Sequence, residues 1–405
     1  MLSLYIHIPF CKSKCWYCDF FVFPVDKASQ WSEYFDKYTK GIIQQIDYYW
    51  KIFPNEKIST IYFGGGTPLV LGKQNLFNII DKISDTFDLT QCEEINFELN
   101  PDPFEDVLDF IACVNKKYKN FFRIRYSFGI QSLDDQILDK TNRGYVYNTL
   151  IWFIRDLVNY KKANNVFNFD FICFGKFADY QKLLLLPDYK LNFLKDFINS
   201  WFADSFSVYT IELFPGSFMY KNFDVDQEKV TKEFQVYKKI LYNAGYKRYE
   251  ISNFELPGKR SLHNIKYWKL RQYLGLGLGA SSFLYKDYAN KVFEQLSKGS
   301  QAVRYENTIS WKDFLNGKVD HQKEVFDLTY QDLLTEQFFL WLRTDLWITA
   351  FQDYEEVLVE NYQSIVEKLI DKGYILNTSW KILLSDKWMD IYNDIITELI
   401  WQNIL

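Results

Sequence analysis

Long hydrophobic runs and clusters of basic residues are both missing from this 405-residue chain. No stretch approaches the roughly 18 uninterrupted apolar residues of a transmembrane helix, so we expect none. The N-terminal stretch MLSLYIHIPFCK lacks the basic n-region and full-length apolar core of a signal peptide, which predicts a cytoplasmic protein. The 47 Lys and Arg against 52 Asp and Glu give a net charge of −5, which argues against nucleic acid as the main partner.

Histidine and cysteine are scarce, with 3 and 6 residues, so their positions are informative. Half of the cysteines stand far apart among apolar or aromatic neighbours, where a cysteine is usually core filling: Cys92, Cys113 and Cys173. The other half fall together in YIHIPFCKSKCWYCDF, as Cys11, Cys15 and Cys18. In a reducing compartment such a trio predicts a metal site rather than a disulfide framework.

Strand-like and helix-like segments alternate along the first 245 residues. We predict strands at 2–8, 58–63, 94–99, 123–130, 166–173 and 206–212. Helical periodicity falls between and after them, at 31–50, 76–87, 104–114, 147–161, 189–202 and 230–244. Six alternations predict parallel βαβ units, arranged either as a doubly wound sheet or as a barrel.

Polar residues at alternate positions form a polar stripe along one face of a predicted strand, and these stripes favour the barrel. EINFELNP places Glu94, Asn96 and Glu98 on one face, and the other strands alternate in the same way. Parallel strands covered on both faces should instead be apolar throughout. We therefore expect a partial (β/α)6 barrel whose interior is wet or filled by a ligand.

The pattern changes after residue 250, where the chain reads as irregular, then Gly-rich, and finally helical with one hairpin. We predict a partial barrel at 1–245, a connecting region at 246–322, and a mostly helical, winged-helix-like domain at 323–405. With no basic recognition helix, that last domain is expected to have a structural or partner-docking role.

The cysteine trio follows the first strand directly, at the end where βα barrels carry their chemistry. Three thiolates can hold three irons of a cubane [4Fe–4S] cluster and leave the fourth iron without a protein ligand. A small molecule with nitrogen and oxygen donors, such as an amino acid's amine and carboxylate, would suit that open place. The alternative is a Cys3His zinc site that uses His7.

These residues resemble a known family. LYIHIPFC followed by KCWYCDF is similar to the radical S-adenosylmethionine (SAM) family, in the branch that contains the oxygen-independent coproporphyrinogen III dehydrogenase HemN and the haem chaperone HemW. The resemblance extends from Leu2 to about residue 390. It implies that the amine and carboxylate of SAM occupy the open iron.

The resemblance also implies a set of SAM-contacting residues. YFGGGTP follows the second strand, ELNP the third and GIQS the fourth. Carried over position by position, the SAM contacts are Tyr5, Tyr17, Gly65, Gly66, Thr67, Glu98, Gln131, Arg143 and Asp170. Independently of the resemblance, a carboxylate such as Glu98 at a strand end can accept hydrogen bonds from a ligand amine or ribose.

The stretch HNIKYW matches the HNxxYW motif of HemW-like proteins, which implies haem binding through His263. Neutral imidazole is a common haem ligand, and aromatic neighbours suit a porphyrin face. The alternative is a structural histidine. If the stretch is helical, Tyr267 shares the face of His263.

Two features separate the branches of the family. The dehydrogenase has a fourth cysteine where this chain has Phe20, and it lacks HNxxYW. Both favour a haem-binding chaperone with a cluster and SAM, whose partners would be haem, a haem-accepting protein at a membrane or elsewhere, and an electron donor such as flavodoxin or ferredoxin. The alternatives are a radical SAM dehydrogenase acting on a porphyrinogen and a zinc-stabilised interaction protein, so enzymatic activity stays open.

Ser281 stands where the family has a histidine, and the loop after Asp170 also departs from the family pattern.

Overall fold

A computed structural model describes residues 1–25, 28–118, 123–175, 188–318, 323–345, 367, 370–373, 375–378 and 381–392. Twelve strands form one sheet: β1 (Leu2–Ile8), β2 (Ile58–Gly65), β3 (Glu94–Leu99), β4 (Ile124–Gln131), β5 (Asn165–Cys173), β6 (Ser205–Thr210), β7 (Lys247–Arg248), β8 (Asn253–Glu255), β9 (Tyr273–Leu276), β10 (Ser281–Tyr285), β11 (Ala302–Asn307) and β12 (Lys323–Leu328). Their spatial order is β12-β11-β10-β9-β1-β2-β3-β4-β5-β6-β8-β7.

The centre of this sheet is parallel. Strands β1 to β6 pair in sequence order, each parallel to the next. The six predicted strands are therefore confirmed, with ends that shift by at most two residues. Because β1 pairs with β9 and not with β6, the curved sheet stays open, which confirms the partial (β/α)6 architecture.

The expectation of an irregular region after residue 250 was wrong. Strands β9 to β12 extend the sheet beyond β1, the first parallel and the others antiparallel. Glycines hide β9 and the start of β10 in YLGLGLGASSF, because they replace the side chains that would show alternation. A Cβ on Gly275 would lie 2.2 Å from the carbonyl oxygen of Ser281, so only glycine allows this hairpin to close.

Helices connect the strands, and those between the parallel strands form a layer on the apolar face of the sheet. They are α1 (Ala28–Ile52), α2 (Lys73–Thr86), α3 (Phe104–Lys117), α4 (Asp135–Lys140), α5 (Tyr147–Leu157), α6 (Asp188–Asn199), α7 (Phe218–Asn222), α8 (Gln227–Asn243), α9 (Leu262–Trp268), α10 (Lys286–Val292), α11 (Trp311–Leu315), α12 (Tyr330–Trp341) and α13 (Asp386–Met389), with 3₁₀ turns at Pro68–Leu71 and Val158–Tyr160. Their apolar residues recur at helical spacing and are buried, as with Leu76, Ile79, Ile80 and Ile83 of α2. The core therefore lies between this helical layer and the apolar face of the sheet.

The polar stripes point to the concave face of the sheet, as expected, but the lower part of that face is not wet. Thr60, Glu94, Asn96, Asn168 and Ser205 are at most 2% exposed. Hydrogen bonds link neighbouring members of the stripes; Ser205 Oγ donates to Asn168 Oδ1 (2.8 Å), for example. Near the C-terminal ends of the strands, Tyr5, Glu98 and Asp170 are partly exposed, so a ligand has room there.

The C-terminal part is described only in pieces. The predicted hairpin is confirmed as the antiparallel pair β13 (Ile375–Thr378) and β14 (Lys381–Leu384), and α12 confirms one helix. Other parts of the stretch predicted to be mostly helical, among them 346–366 and 393–405, lie outside the described residues. Strand β12 belongs to the main sheet although it follows the predicted boundary at 322/323. The division into three domains stays a prediction.

Ion pairs fasten this part to the barrel. Arg248 Nη1 lies 2.6 Å from Asp390 Oδ1, next to α13, and Arg260 Nη1 lies 3.0 Å from Asp345 Oδ1. Among the described residues, no helix is both long enough and apolar enough to cross a membrane.

Candidate functional site

The three neighbouring cysteines lie on a loop that leaves the C-terminal end of β1. The loop is closed at its base by Phe10–Cys11, which pairs in parallel with Phe23–Pro24, and by a hydrogen bond from Val25 N to Cys11 O (2.7 Å). Within the loop, Cys18 N donates to Cys15 O (3.1 Å). After the third cysteine the chain thus returns to the residues that directly follow β1.

Each thiol has its own surroundings. Thr67 Oγ1 lies 3.8 Å from Cys11 Sγ, and burial raises the pKa of this thiol to about 12. Arg143 Nη1 lies 3.1 Å from Cys15 Sγ. Burial also raises the pKa of the Cys18 thiol. A metal that binds these thiols must therefore displace their protons, which makes loading favoured by higher pH.

The described residues do not support the zinc alternative. They contain no group of three or more His, Cys, Asp or Glu side chains arranged to hold one metal ion. His7 uses both ring nitrogens elsewhere: Tyr5 Oη lies 3.0 Å from Nδ1, and Nε2 lies 3.0 Å from the carbonyl oxygen of Phe21. The three thiols without His7 suit a multi-atom cluster better than a single ion.

The glycine run after β2 packs against its own chain. Gly66 N donates to Ile8 O (2.8 Å) and Thr67 N to Phe10 O (2.7 Å). Gly65 has φ +104° and lies under the ring of His7, whose Cε1 would be 2.5 Å from a Cβ at this position. Only glycine fits there, and the run fixes the start of the cysteine loop relative to β2.

Glu98 is the carboxylate at the centre of the site. Its Oε1 accepts a hydrogen bond from Tyr62 Oη (2.6 Å) and its Oε2 from Gly65 N (3.1 Å). Burial raises the pKa of Glu98 to about 7. The two hydrogen bonds act in the opposite direction, because they favour the ionised form. Glu98 therefore changes charge near neutral pH, next to the glycine run.

Arg143 connects the cysteine loop to β4. Its Nη2 donates to Gly129 O (2.6 Å) and Asn100 Oδ1 (3.1 Å), and its Nε donates to Tyr145 Oη (2.8 Å). Its Nη1, beside Cys15, is also 3.4 Å from Tyr17 Oη. The guanidinium group thus places positive charge beside a thiol and is held in position by neutral partners.

Gln131 and Asp170 complete the rim on β4 and β5. Gln131 has φ +64° at an irregularity in the pairing of the two strands, and its amide lies beside Gly129. Asp170 Oδ1 accepts from Asn168 Nδ2 (2.7 Å), and burial raises the pKa of Asp170. The predicted SAM residues therefore come from five strands and the loops that follow them, at one end of the sheet.

A pocket of about 430 Å³ opens beside this end. Its lining combines β1, the cysteine loop, α9 and the sheet extension: Tyr5, His7, Asp19, Phe20, Phe21, Tyr267, Tyr273, Gly279, Ser281 and Glu306. Phe20 and Phe21 are 59% and 49% exposed, so the cysteine loop presents two aromatic rings to this pocket. Phe20 and Ser281 both lie in the lining.

His263 lies in helix α9 and is fully buried. The HNIKYW stretch is therefore helical, which was the condition for placing Tyr267 on the face of His263. Its Nδ1 is 2.8 Å from Thr60 Oγ1 and its Nε2 is 2.8 Å from Tyr267 Oη, which is on the same face. Burial lowers the pKa of His263 to about 3, so the ring is neutral. In this conformation iron can reach Nε2 only if Tyr267 moves, and Tyr267 is the motif residue that lines the pocket.

Sequence reasoning missed several residues that hold the site. Tyr62, Tyr145 and Asn100 contact Glu98 or Arg143, and Thr60 contacts His263. Tyr62 and Thr60 share the polar face of β2, so the alternation that revealed Glu98 could have revealed them. Tyr145 and Asn100 lie in loops, where the sequence gave no comparable signal.

The part of the chain that carries the cysteine loop is similar to radical SAM proteins. Residues 5–182 match the sequence model of the Radical SAM superfamily. The chain resembles "Heme chaperone HemW" of Lactococcus lactis subsp. lactis (strain IL1403), with 27% identity over 99% of this chain and 98% of the relative. It is 26% identical to the protein of the same name from Bacillus subtilis (strain 168), over 98% of both chains.

A solved structure gives the same class of fold. Coproporphyrinogen III oxidase (HemN) from Escherichia coli matches with a TM-score of 0.73, over 98% of this chain and 89% of that chain. The two are 18% identical, and the likeness shows a common fold alone.

Proposed function

We propose that this protein is a haem-binding chaperone that carries a [4Fe–4S] cluster and SAM and delivers haem to a target protein. The observation that carries the proposal is the position of α9: its Tyr267 lines a pocket together with Tyr5 and His7 of the strand that leads into the cysteine loop. The full-length similarity to proteins named as haem chaperones supports the same conclusion.

Cys11, Cys15 and Cys18 would hold the cluster, and Arg143 would balance charge beside Cys15. When bound, such a cluster supplies one-electron transfer to a ligand at its open iron. The residues of this chain exclude water from one side of the loop, since Phe10 is fully buried beneath it. Arg143, fixed by Gly129, Asn100 and Tyr145, keeps the loop in register with β4.

Glu98, Gly65, Asp170 and Gln131 line the space where SAM would bind, with Tyr5, Tyr17, Gly66 and Thr67 around them. Glu98 can accept hydrogen bonds from an amine or from ribose hydroxyls once it is ionised. Gly65 N and Tyr62 Oη already hold this carboxylate in place. SAM binding would therefore not carry the entropic cost of ordering the Glu98 side chain.

The pocket beside α9 would receive part of the haem. Phe20, Phe21, Tyr267 and Tyr273 offer aromatic surface for a porphyrin face. His263 Nε2 would be the iron ligand, after Tyr267 Oη is displaced from it. The partners would be haem, a haem-accepting protein that is membrane-associated or otherwise, and an electron donor like flavodoxin or ferredoxin. The protein would act in the cytoplasm.

The proposal is tested by two assays on the anaerobically reconstituted protein. Haemin titration should give saturable binding with a shifted Soret band, and coproporphyrinogen III should not be converted, because Phe20 replaces the additional cysteine of the dehydrogenase. Multiple turnovers to protoporphyrinogen IX would establish the dehydrogenase instead. Absence of saturable haem binding would contradict the chaperone assignment.

A further inference from the structure

A chain of buried hydroxyl groups leads from β1 to His263. Ser59 Oγ donates to the carbonyl oxygen of Leu2 (3.1 Å) and is 2.9 Å from Ser3 Oγ. Thr60 Oγ1 donates to Ser3 Oγ (2.9 Å). Ser3, Ser59 and Thr60 are at most 3% exposed, so solvent does not compete for these bonds.

The direction of this chain is fixed at its end. A carbonyl oxygen only accepts, and each hydroxyl has one proton to donate. Since Ser59 gives its proton to Leu2, Ser3 must donate to Ser59, and Thr60 must donate to Ser3. Thr60 then has no proton left for its next neighbour.

That neighbour is His263 Nδ1, 2.8 Å from Thr60 Oγ1. Because Thr60 can only accept here, Nδ1 must carry the ring proton. The second nitrogen, Nε2, then has a free lone pair, which accepts the hydroxyl proton of Tyr267 (2.8 Å). The ring is neutral, in agreement with its burial.

We propose that Ser59, Ser3 and Thr60 act as positioning residues that fix His263 in the Nδ1–H tautomer and direct its Nε2 lone pair toward Tyr267 and the pocket. The inference rests on the proposed function for what Nε2 finally binds, which is haem iron. Metal-ligating histidines are typically oriented by a hydrogen bond from the other ring nitrogen, and the hydroxyl chain supplies that bond. Tyr267 then acts as a removable cap on the lone pair.

His7 gives an internal contrast. Its Nε2 faces the carbonyl oxygen of Phe21, so Nε2 carries the proton and Nδ1 accepts from Tyr5 Oη. The two described histidines therefore have opposite tautomers. Since the chain has 3 His, these can be resolved in one spectrum.

The test is long-range ¹H–¹⁵N NMR of the haem-free, full-length protein labelled in histidine, in a His321→Gln background that leaves two imidazoles. We expect one Nδ1–H and one Nε2–H ring, with the His263 ring staying neutral between about pH 5.5 and 8. Thr60→Val removes the acceptor without changing the shape of the side chain, and should shift His263 toward the Nε2–H form. Thr60→Ser keeps the hydroxyl and should restore the wild-type pattern.

Thr39→Val is the matched control. Thr39 is also buried, and its hydroxyl donates to Phe35 O (2.8 Å) on α1, so this variant should leave both imidazoles unchanged. A wild-type His263 in the Nε2–H form, or a tautomer unaffected by Thr60→Val, would overturn the inference.

Haem binding separates this inference from the proposed function. Thr60→Val should weaken haemin binding roughly tenfold or more, as loss of a partner to a ligand histidine does. Tyr267→Phe removes the cap and should strengthen binding and make the Soret shift larger. If wild type binds no haem while the tautomers are as expected, the proposed function fails and the hydroxyl chain stands. If haem binds and Tyr267→Phe weakens it, Nε2 is not the ligand.

Discussion

At the residue scale, the site is built from side chains that are already held before any ligand binds. Arg143 has partners for all three of its nitrogens, and His7 for both. Glu98 accepts two hydrogen bonds. Such preorganisation lowers the ordering cost of binding, so substitutions here should change affinity more than stability.

The cysteines allow a direct test of the cluster. Replacing Cys15 by Ser should abolish iron loading after anaerobic reconstitution, because the wild type is expected to hold about four irons on three thiolates. Iron and sulfide analysis measures this. Cys113→Ser is the matched control, since Cys113 is a partly exposed cysteine on α3 far along the chain, and it should load normally. Full loading of the Cys15 variant would remove the trio as the ligand set.

Glu98 should make SAM binding depend on pH. Its pKa is raised by burial from 4.5 to about 7, so the folded protein keeps a proton that the unfolded chain releases. The contribution of Glu98 to the free energy of unfolding is therefore full below about pH 4.5 and declines as the pH rises to 7. SAM binding needs the ionised form, so affinity should fall roughly tenfold from pH 8 to pH 6.

Calorimetric titration at both pH values measures this effect. The Glu98→Gln protein should bind SAM more weakly than wild type at pH 8 and show little further loss at pH 6. The same pH dependence in Glu98→Gln and wild type would assign the titration to another group.

At the scale of elements, helix α9 is held between the barrel and the C-terminal part. His263 N donates to Glu94 Oε1 (3.2 Å) on β3. On the other side, the guanidinium carbon of Arg343 lies 4.0 Å from the ring centre of Trp268, and Arg343 Nη2 is 3.5 Å from Glu250 Oε2. Segment 343–345 thus covers the last residue of the HNIKYW motif.

Arg343→Ala should destabilise the protein by about 2 kcal/mol, because it uncovers Trp268 and leaves the buried Glu250 without its cationic partner. Denaturant unfolding measures the change. Lys318→Ala removes an exposed ion pair with Asp313 and should cost less than about 0.5 kcal/mol. Equal losses in the two variants would show that Arg343 does not anchor α9.

At the scale of the whole molecule, one sheet joins segments that are distant from each other in the chain. Strand β1 lies in its interior, between β2 and β9, although more than 260 residues separate β1 from β9. Leu4 and Ile6 of β1 pair with Leu274 and Leu276 and are fully buried. The sheet extension therefore protects the first strand from acting as an open edge.

A chain that ends at residue 260 should aggregate, because it loses β9 to β12 and exposes the apolar edge of β1. A chain that ends at residue 328 keeps all twelve strands and should remain folded, which size-exclusion chromatography and thermal unfolding can compare. A monomeric, cooperatively unfolding chain of 260 residues would show that the six parallel strands are sufficient.

The sequence alone determined the parallel core and the candidate ligands. Strands β1 to β6 could be predicted because local alternation and apolar runs report burial directly, and the three cysteines are adjacent in the chain. Strands β9 and β10 could not, since glycine replaces alternating side chains in this stretch and the pairing partner of β9 is distant in sequence. Arg143 and Glu98 were predicted as site residues, but the residues that hydrogen-bond to them were not.

Only the tertiary structure decided what lies beneath and beside those residues. The concave face of the sheet could be read as polar, yet whether it is wet or closed depends on hydrogen bonds between strands, as from Ser205 to Asn168. The protonation of His263 depends on Ser3, Ser59 and Thr60, which come from two strands more than 200 residues away from α9. Local sequence records the face on which a residue lies, but a tautomer or a closed cavity is set by groups that folding brings together from distant segments.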